Sequence, residues 1–267
     1  RRQRQMCIRD SNTDTGTNGV RKGLLSGQGD HSMTVGDVDG DGCQEIIYGG
    51  AIVDNNGDLY SSGKAYLPDG VTLAKYGHGD SIHCTDIDPD RPGLEIFSCF
   101  EGGTGAPYGT ALRDADTNQP IAGANTVYSG TDTGRCIIGD FNSKVRGLEL
   151  SGMAFTDCKG NVISGTSVTS NQNVKFCADM TTQGYLGTTI GKADGTSVKT
   201  VATLTGTSSN NSTKGNAGLI ADVLGDWREE VVTRTTDSSA LRIYTSTEVT
   251  DHKMYTLMHD TQYRAQV

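Results

Sequence analysis

The sequence predicts an all-β fold, a β-propeller whose blades are held together by calcium, and three observations lead to this prediction. Glycine is abundant, at 36 of 267 residues, and short apolar runs alternate with polar turns. One loop pattern, an Asp followed eight or nine residues later by a Glu, occurs four times. The first two copies begin 49 residues apart, which is about the size of a four-stranded propeller blade.

The composition is typical of many short strands joined by turns. Proline is scarce, at 5 residues, and almost no segment has the periodicity of an amphipathic helix of three turns. The net charge of −9 argues against a nucleic-acid partner, and no apolar stretch approaches the length of a membrane span. We therefore expect neither a nucleic-acid nor a membrane partner, and we also expect a monomer.

The ends and the cysteines add two further expectations. The abrupt start RRQRQMCIRD and the end YRAQV predict that residues 1–267 form one partial propeller domain, truncated at both ends. Seven cysteines is an odd number, and no C-x-x-C pair occurs among them. Because most lie in or beside apolar segments, they predict small buried side chains rather than a disulfide framework or a zinc site.

The four loop copies share one plan, in which an apolar stretch precedes the Asp and the Glu opens a second apolar run. The copies are GDVDGDGCQEIIYGG (36–50), DIDPDRPGLEIFSCF (86–100), DFNSKVRGLELSGMAF (140–155) and DVLGDWREEVVTRT (222–235). Their first aspartates, at 37, 86, 140 and 222, are separated by steps of 49, 54 and 82 residues. The long third step leaves room for an extra hairpin, predicted at 191–204, or for a blade without the motif.

These loops are predicted to be strand-to-strand turns that hold a hard cation. An EF-hand is excluded because its twelfth position needs a Glu, where this sequence has Tyr48, and because helices must flank its loop. The first two loops have the strongest sets of oxygen ligands. These sets are Asp37, Asp39, Asp41 and Glu45 in the first loop, and Asp86, Asp88, Asp90 and Glu95 in the second. The alternative is an Asp-rich turn without an ion.

The third and fourth loops are weaker candidates for structural calcium. The third offers Asp140, Asn142 and Glu149, but Lys144 stands at its fifth position and would repel a cation. The fourth loop offers Asp222, Asp226 and Glu230, while Leu224 can give only its carbonyl oxygen.

A few polar residues interrupt the structural pattern and are candidates for chemistry. His31, His78 with Asp80, Arg135 and Lys214 each precede one loop copy at corresponding positions, so in a propeller they would converge on one surface. The alternatives are hydrogen-bonding histidines in turns and solvated surface charges. Taken alone, a group of two histidines and an aspartate favours a transition metal, because calcium prefers oxygen ligands.

Several consecutive segments resemble the rhamnogalacturonan lyases of polysaccharide lyase family 11. The resemblance runs from about Gly27 to Arg264 and rests on motifs that match in order. These motifs are GQGDHSMTVGDVDGDGCQEIIYG, YGHGDSIHCTDIDPDRPGLEIF, PYGTALRDADT and LGDWREEVVTRTTDSSALRIYT, followed by YTLMHDTQYR. The resemblance implies an eight-bladed β-propeller with many bound calcium ions, of which this chain would cover the middle blades.

The resemblance also implies an activity and a set of site residues. The activity is cleavage of rhamnosyl-galacturonic acid bonds in the pectin backbone, rhamnogalacturonan I, by β-elimination. His31, His78, Asp80 and Glu101 would hold an active-site calcium, and Arg135 and Lys214 would be the catalytic pair, with the base left open between them. Asn211 and Thr213 would contact sugar, and Ser212 stands where the family pattern leads us to expect Gly.

Two function classes remain open from the sequence. The first is a secreted calcium-dependent polysaccharide lyase acting on an acidic pectic polysaccharide. The second is a non-catalytic calcium-binding β-propeller for adhesion or carbohydrate binding, in which the Asp loops only join strands. The second class explains the repeats but does not require the basic and histidine residues to form a site.

Overall fold

The structure, a computed structural model, describes residues 24–101, 105–121, 133–166, 168 and 170–267. Contacts divide the chain into two compact units, one ending at Gly134 and one running from Arg135 to Val267. The described residues form short strands that pair antiparallel, and their only α-helix, α1, spans Thr261–Gln266. The all-β prediction is therefore confirmed. None of the helices in these ranges is both long and apolar enough to cross a bilayer.

The first unit contains two sheets and a small ribbon. The first sheet has the order β1-β2-β3-β4, the ribbon pairs β5 with β6, and the second sheet has the order β7-β8-β9. The strands are β1 (Thr34–Gly36), β2 (Glu45–Tyr48), β3 (Ala51–Val53), β4 (Leu59–Ser62), β5 (Lys64–Tyr66), β6 (Leu73–Lys75), β7 (Gly79–Thr85), β8 (Glu95–Phe100) and β9 (Thr110–Asp114).

The sequence of these strands explains which faces are buried. In β2, Glu45 and Ile47 are buried while Ile46 and Tyr48 are exposed, as the two-residue period of a strand requires. In contrast, all six residues of β8 are buried, because this central strand is covered on both faces. Ile47, Ile82 and Ile96 pack together in the core of the unit.

The second unit contains three sheets. One has the order β10-β11-β12 and one the order β13-β14-β15-β16, and in the third β19 pairs with β17, β18 and β20. The strands are β10 (Ile137–Gly139), β11 (Glu149–Ser151), β12 (Phe155–Thr156), β13 (Gln172–Val174), β14 (Gln183–Leu186), β15 (Thr189–Asp194), β16 (Ser197–Thr203), β17 (Thr207–Ser208), β18 (Leu219–Ala221), β19 (Glu230–Thr235) and β20 (Leu241–Tyr244). The hairpin predicted at 191–204 is confirmed by β15 and β16.

Each Asp-to-Glu loop joins two antiparallel neighbours, as predicted. The loops connect β1 to β2, β7 to β8, β10 to β11 and β18 to β19, and the Glu is always the first residue of the second strand. Strands rather than helices flank the loops, so the exclusion of an EF-hand is confirmed.

The described cysteines form no disulfide with one another. Five of them are buried, at positions 84, 99, 136, 158 and 177, as the sequence predicts. Cys43 differs, since its position in the first Asp loop leaves it exposed. Cys7 lies outside the described residues.

Candidate active site

The glutamates of the four Asp-to-Glu loops are fully buried and share one structural role. In each loop, Oε2 accepts backbone N–H groups from the start of the same loop, at residues 38, 87 and 88, 141 and 142, and 223 and 224. The second carboxylate oxygen, Oε1, has a different environment in each loop. That difference decides how well each loop fits a cation.

The first loop brings together the aspartates that the sequence singles out. Asp37, Asp39 and Asp41 place carboxylate oxygens within 4.8 Å of one another, and the buried Asp37 Oδ1 accepts no hydrogen bond from the described residues. Asn55, from the β3–β4 turn, donates from Nδ2 to Asp41 Oδ2 at 3.1 Å and to Glu45 Oε1 at 3.4 Å. Three clustered carboxylates supply the oxygen ligands that a hard cation prefers, so this loop fits such a cation well.

In the second loop, a guanidinium lies where a cation would contact the glutamate. Arg91 Nε lies 3.3 Å from Glu95 Oε1, and the same side chain also pairs with Asp114. The carboxylates of Asp86, Asp88 and Asp90 do not form a cluster as tight as that of the first loop among the described residues. The internal arginine already supplies positive charge, so the second loop fits a cation less well than its sequence suggests.

The third loop has two carboxylate oxygens that lack partners. Asp140 Oδ1 and Glu149 Oε1 are buried and accept no hydrogen bond from the described residues. Burial raises the pKa of Glu149 to about 7, and it also raises the pKa of Asp140 above its usual value. A bound cation would satisfy both oxygens, so this loop fits calcium despite Lys144.

In the fourth loop, hydrogen bonds already satisfy the carboxylates. Asp222 accepts five, from the backbone of Gly225, Asp226, Trp227 and Leu257 and from the Thr256 hydroxyl. Glu230 Oε1 accepts from the Thr245 hydroxyl at 3.2 Å, and Asp226 pairs with Arg228. Of the four loops, this one fits a cation least.

The two histidines singled out by the sequence meet in the first unit. His31 precedes β1 and His78 precedes β7, and their Nε2 atoms lie 3.2 Å apart. Glu101 completes a group whose ligand atoms all lie within 4.8 Å of one another. Asp80 Oδ1 lies 3.7 Å from His31 Nε2, and Glu101 Oε2 lies 3.8 Å from His78 Nε2. We call these four residues the histidine–carboxylate cluster.

Backbone hydrogen bonds align the three segments that carry the cluster. The His31 N–H donates to the Gly79 carbonyl at 3.0 Å, and the Gly79 N–H donates to the Gly29 carbonyl at 3.0 Å. On the other side, the Glu101 N–H donates to the His78 carbonyl at 2.8 Å. The imidazoles are well exposed, with 62% and 44% of the side-chain surface accessible, whereas Asp80 is buried. The cluster therefore presents two imidazoles and the partly exposed Glu101 toward solvent, with Asp80 buried beside His31.

Buried residues that the sequence analysis did not single out support this base. Gln28 accepts the Gly77 N–H at 3.0 Å and donates to the Gly63 carbonyl at 2.7 Å. Arg113 is fully buried, with its guanidinium over the rings of Tyr76 and Phe100 at 4.9 and 5.7 Å. Tyr76 and Phe100 lie just before His78 and Glu101 in the chain. The only signal in the sequence is the presence of Gln28 and Arg113 in the matching motifs GQGDHS and PYGTALRDADT.

The basic residues Arg135 and Lys214 lie close together in the second unit. Strands β17 and β18 pair with the same edge of β19, and the chain between them forms a projecting loop. Asn210 and Asn216 close the base of this loop by exchanging two backbone hydrogen bonds, at 2.7 and 3.0 Å. At its tip, the Arg135 guanidinium donates to the carbonyl of Thr213, the residue before Lys214. We call residues 209–218 the lysine loop.

The lysine loop has an unusual backbone. Asn211 and Ser212 have φ values of 55° and 39°, in the left-handed region that favours glycine. A short 3₁₀ helix, Ser212–Lys214, follows, and Gly215 ends it with a φ of 66°. Arg234 on β19 stabilises the base of the loop by donating hydrogen bonds to the Asn210 side chain and to the Ser209 carbonyl. Left-handed non-glycine residues of this kind often occur at functional sites.

Comparison with known proteins identifies the family. The family model described as rhamnogalacturonan lyase family 11, C-terminal domain, matches residues 4–267. The chain belongs to rhamnogalacturonan lyase family 11. The family predicted from the sequence motifs is thus confirmed.

Two curated relatives of family 11 come from Bacillus subtilis (strain 168). The chain is 42% identical over 246 residues to rhamnogalacturonan endolyase YesW, covering 90% of this chain and 37% of the relative. It is also 42% identical over 262 residues to rhamnogalacturonan exolyase YesX, covering 90% of this chain and 40% of the relative. The chain therefore spans about two fifths of the length of these relatives.

Solved structures of family 11 show the same fold. The crystal structure of rhamnogalacturonan lyase YesW superposes with a TM-score of 0.80 at 40% identity, covering 95% of this chain and 41% of that one. The Bacillus licheniformis rhamnogalacturonan lyase PL11 also gives 0.80, at 41% identity, covering 92% and 40%. The exotype lyase YesX gives 0.77 at 39% identity, covering 92% and 42%.

Proposed function

We propose that this chain is part of a rhamnogalacturonan lyase that cleaves the bond between rhamnose and galacturonic acid by β-elimination. The observation that carries the proposal is the histidine–carboxylate cluster, in a chain of family 11. A strand turn with only a structural role does not require two exposed imidazoles with their Nε2 atoms 3.2 Å apart between two carboxylates. This arrangement is typical of a binding site.

His31, His78, Asp80 and Glu101 would hold a calcium ion. Two carboxylates supply the hard oxygen ligands that calcium prefers, and the two exposed imidazoles leave one side open to a substrate. When bound, the ion would neutralise the uronate carboxylate and make the adjacent C5 proton more acidic. The histidines would orient the ion, and the buried Asp80 would keep His31 in place.

Lys214 and Arg135 would carry out the proton transfer. Elimination requires a base that removes the C5 proton. The electron pair of the C5–H bond forms the C4–C5 double bond as the bond from C4 to the rhamnose oxygen breaks, and that oxygen takes a proton from water. We assign the base to Lys214 Nζ, because lysine can lose its proton in a protein whereas arginine remains charged. Arg135, as a donor to the Thr213 carbonyl, would hold the lysine loop and stabilise negative charge on the substrate. Asn211 and Thr213, on either side of the strained Ser212, would contact sugar.

The proposal extends to the architecture. The sheets that contain the Asp-to-Glu loops would be blades of a β-propeller, eight-bladed in the complete protein, with residues 1–267 as one partial domain. The first and third loops would hold structural calcium. This part is supported by three buried oxygens that accept no hydrogen bond from the described residues, Asp37 Oδ1, Asp140 Oδ1 and Glu149 Oε1. The substrate would be an acidic pectic polysaccharide, rhamnogalacturonan I, and the enzyme would be secreted because this polymer lies outside cells.

The test is the ultraviolet absorbance of the unsaturated uronate that elimination produces. The protein containing this chain is mixed with rhamnogalacturonan I, with calcium or with a chelator. We expect a calcium-dependent rise in absorbance that falls at least 100-fold in Lys214→Ala and in Arg135→Ala. Lys199→Ala, which changes an exposed lysine on β16, is the matched control and should retain full activity.

Two outcomes would contradict the proposal. Full activity in both the Lys214 and Arg135 variants would reject the assigned catalytic pair. Binding of the polymer by the wild-type protein with no rise in absorbance would instead support a non-catalytic calcium-binding propeller.

A further inference from the structure

Asp30 is a buried carboxylate beside the histidine–carboxylate cluster that no step above uses. It is 4% exposed, precedes His31 in the chain and forms a bridge with Gly79, the residue between His78 and Asp80. Its Oδ1 accepts the backbone N–H of Ser32 at 2.9 Å and the Ser32 hydroxyl at 3.1 Å. Its Oδ2 is also buried, and none of the described residues donates a hydrogen bond to it.

The partnerless oxygen faces the segment that carries two members of the cluster. A Cβ added at Gly79 would overlap Asp30 Oδ2 and the carbonyl oxygen of Cys99, so the carboxylate packs directly against the Gly79 backbone. The Asp30 carboxylate therefore lies directly against the backbone that joins His78 to Asp80.

A buried carboxylate oxygen without a partner is costly and is rare in proteins. A purely structural role would be served by Oδ1, which ties Ser32 to Asp30, while Ser32 Oγ accepts the Ile82 N–H at 3.1 Å. The second oxygen and its charge have no such role. A cation held by the neighbouring cluster would offset this charge, and the charge would in turn strengthen binding of the cation.

We propose that Asp30 is a positioning residue of the cation site, which strengthens cation binding through its buried charge and fixes the Gly79 backbone between His78 and Asp80. This inference rests on the cation site of the proposed function. It predicts that removal of the charge weakens cation binding at the cluster without loosening the fold.

The experiment uses proton NMR of the histidine rings. Among the Cε1 proton signals of the histidine rings, those of His31 and His78 are assigned with the variants His31→Asn and His78→Asn. Calcium is titrated into chelator-treated protein, and the shifts of these two signals give the dissociation constant of the cluster. His83, whose Nε2 lies 3.3 Å from the Ser81 hydroxyl, is the internal reference.

Three substitutions separate charge from structure. In Asp30→Asn we expect calcium binding about tenfold weaker than in the wild type, with no loss of melting temperature in chelator. Ser32→Ala removes the hydroxyl that donates to Oδ1 and accepts the Ile82 N–H, but it keeps the backbone N–H that donates to Oδ1 and the charge of Asp30. It should change the dissociation constant less than threefold. Asp69→Asn removes an exposed carboxylate from the same unit and should change nothing.

The outcomes distinguish this inference from the proposed function. If calcium shifts neither His31 nor His78 in the wild type, the cation site itself is wrong. If it shifts both equally well in the wild type and in Asp30→Asn, only the role of Asp30 is wrong. An effect of Ser32→Ala as large as that of Asp30→Asn would also overturn the role of the charge. Should the asparagine variant fail to fold, Asp30→Ser, which lacks the charge and has a smaller side chain, takes its place with the same expected tenfold loss.

Discussion

The third and fourth Asp-to-Glu loops occupy the same position between neighbouring strands, yet their carboxylates have opposite environments. In the third loop, Asp140 Oδ1 and Glu149 Oε1 are buried and accept no hydrogen bond from the part of the chain that the structure describes. In the fourth, Asp222 accepts five hydrogen bonds and Glu230 Oε1 accepts one from Thr245. The comparison shows that one sequence pattern supports two kinds of turn, one that fits a cation and one that is satisfied by the protein itself.

The partners of Asp222 explain the difference. Three of its hydrogen bonds come from the loop itself, and two come from Thr256 and Leu257, at the start of a short 3₁₀ helix more than thirty residues later in the chain. Tyr263 on α1 extends this support, because its hydroxyl accepts the Asp222 N–H at 3.0 Å and donates to Glu229 at 2.6 Å. In the fourth loop, hydrogen bonds from this distant segment thus help to satisfy the buried carboxylate, as a cation would do in the third loop.

The largest effect is expected from removing the carboxylate of the fourth loop. Asp222→Ala leaves five donors without their acceptor and should lower the free energy of unfolding by about 3–5 kcal/mol. The loss should be the same in calcium and in chelator. Urea unfolding followed by fluorescence measures it directly, because the chain's single tryptophan, Trp227, lies buried in this loop. A loss seen only in calcium would show that Asp222 binds an ion.

The second largest effect is expected in the third loop, where the change in stability caused by Glu149→Gln should reverse its sign when calcium is present. In chelator, Glu149→Gln removes a buried charge and should stabilise the second unit by about 1–2 kcal/mol. In calcium, the same change removes a ligand and should destabilise it by a similar amount, since a ligand that binds only the folded state adds to stability. Tryptophan fluorescence during urea unfolding gives both values. The same sign in both conditions would contradict a cation in the third loop.

A smaller effect is expected where the distant segment meets the fourth loop. Thr256→Val removes the hydroxyl that donates to Asp222 Oδ2 at 2.7 Å and accepts the Met258 N–H at 3.2 Å. We expect a loss of about 1 kcal/mol, because one cap and one hydrogen bond are removed while the other donors remain. Thr205→Val, which also changes a threonine of the second unit, controls for the loss of a hydroxyl. If Thr256→Val is as stable as the wild type, the hydrogen bonds from within the loop are sufficient to satisfy the Asp222 carboxylate.

The smallest effect tests the lysine of the third loop. Lys144 is exposed, so its charge is screened and Lys144→Ala should tighten calcium binding only about two- to threefold at low salt. Calorimetric titration measures this change, with Glu149→Gln as the variant that lacks the site. The gain should vanish at high salt. A tenfold gain that resists salt would show that the ammonium group competes directly for the carboxylates.

Much of the fold and part of the site could be predicted from residues close together in the sequence. The Asp-to-Glu spacing predicts the strand-to-strand turns, because a loop of eight or nine residues can connect two antiparallel strands. Its Glu can then accept the backbone N–H groups at the start of the same loop. Likewise, His31 and His78 were identified as candidates by their place before strands that follow a common pattern. Their convergence in the structure follows from the pairing of the segments that carry them.

Other parts could not be predicted because they depend on residues far apart in the chain. Asn55, Thr245 and Thr256 have no special sequence signal, yet they determine the environments of the loop carboxylates. Asp30 is one more aspartate in a polar segment, and only the structure shows that its buried Oδ2 accepts no hydrogen bond from the described residues. The left-handed backbone of Ser212, at a position where a glycine was expected, likewise appears only when the lysine loop is built.

The sequence by itself determined the all-β class, the family and the residue types available for cation binding and proton transfer, because these depend on local pattern and chemical identity. Only the tertiary structure decided which carboxylates are satisfied by the protein and which are left with buried charge. The physical reason is that the cost of a buried charge depends on every donor within hydrogen-bonding distance, and those donors come from strands, turns and helices widely separated in the chain.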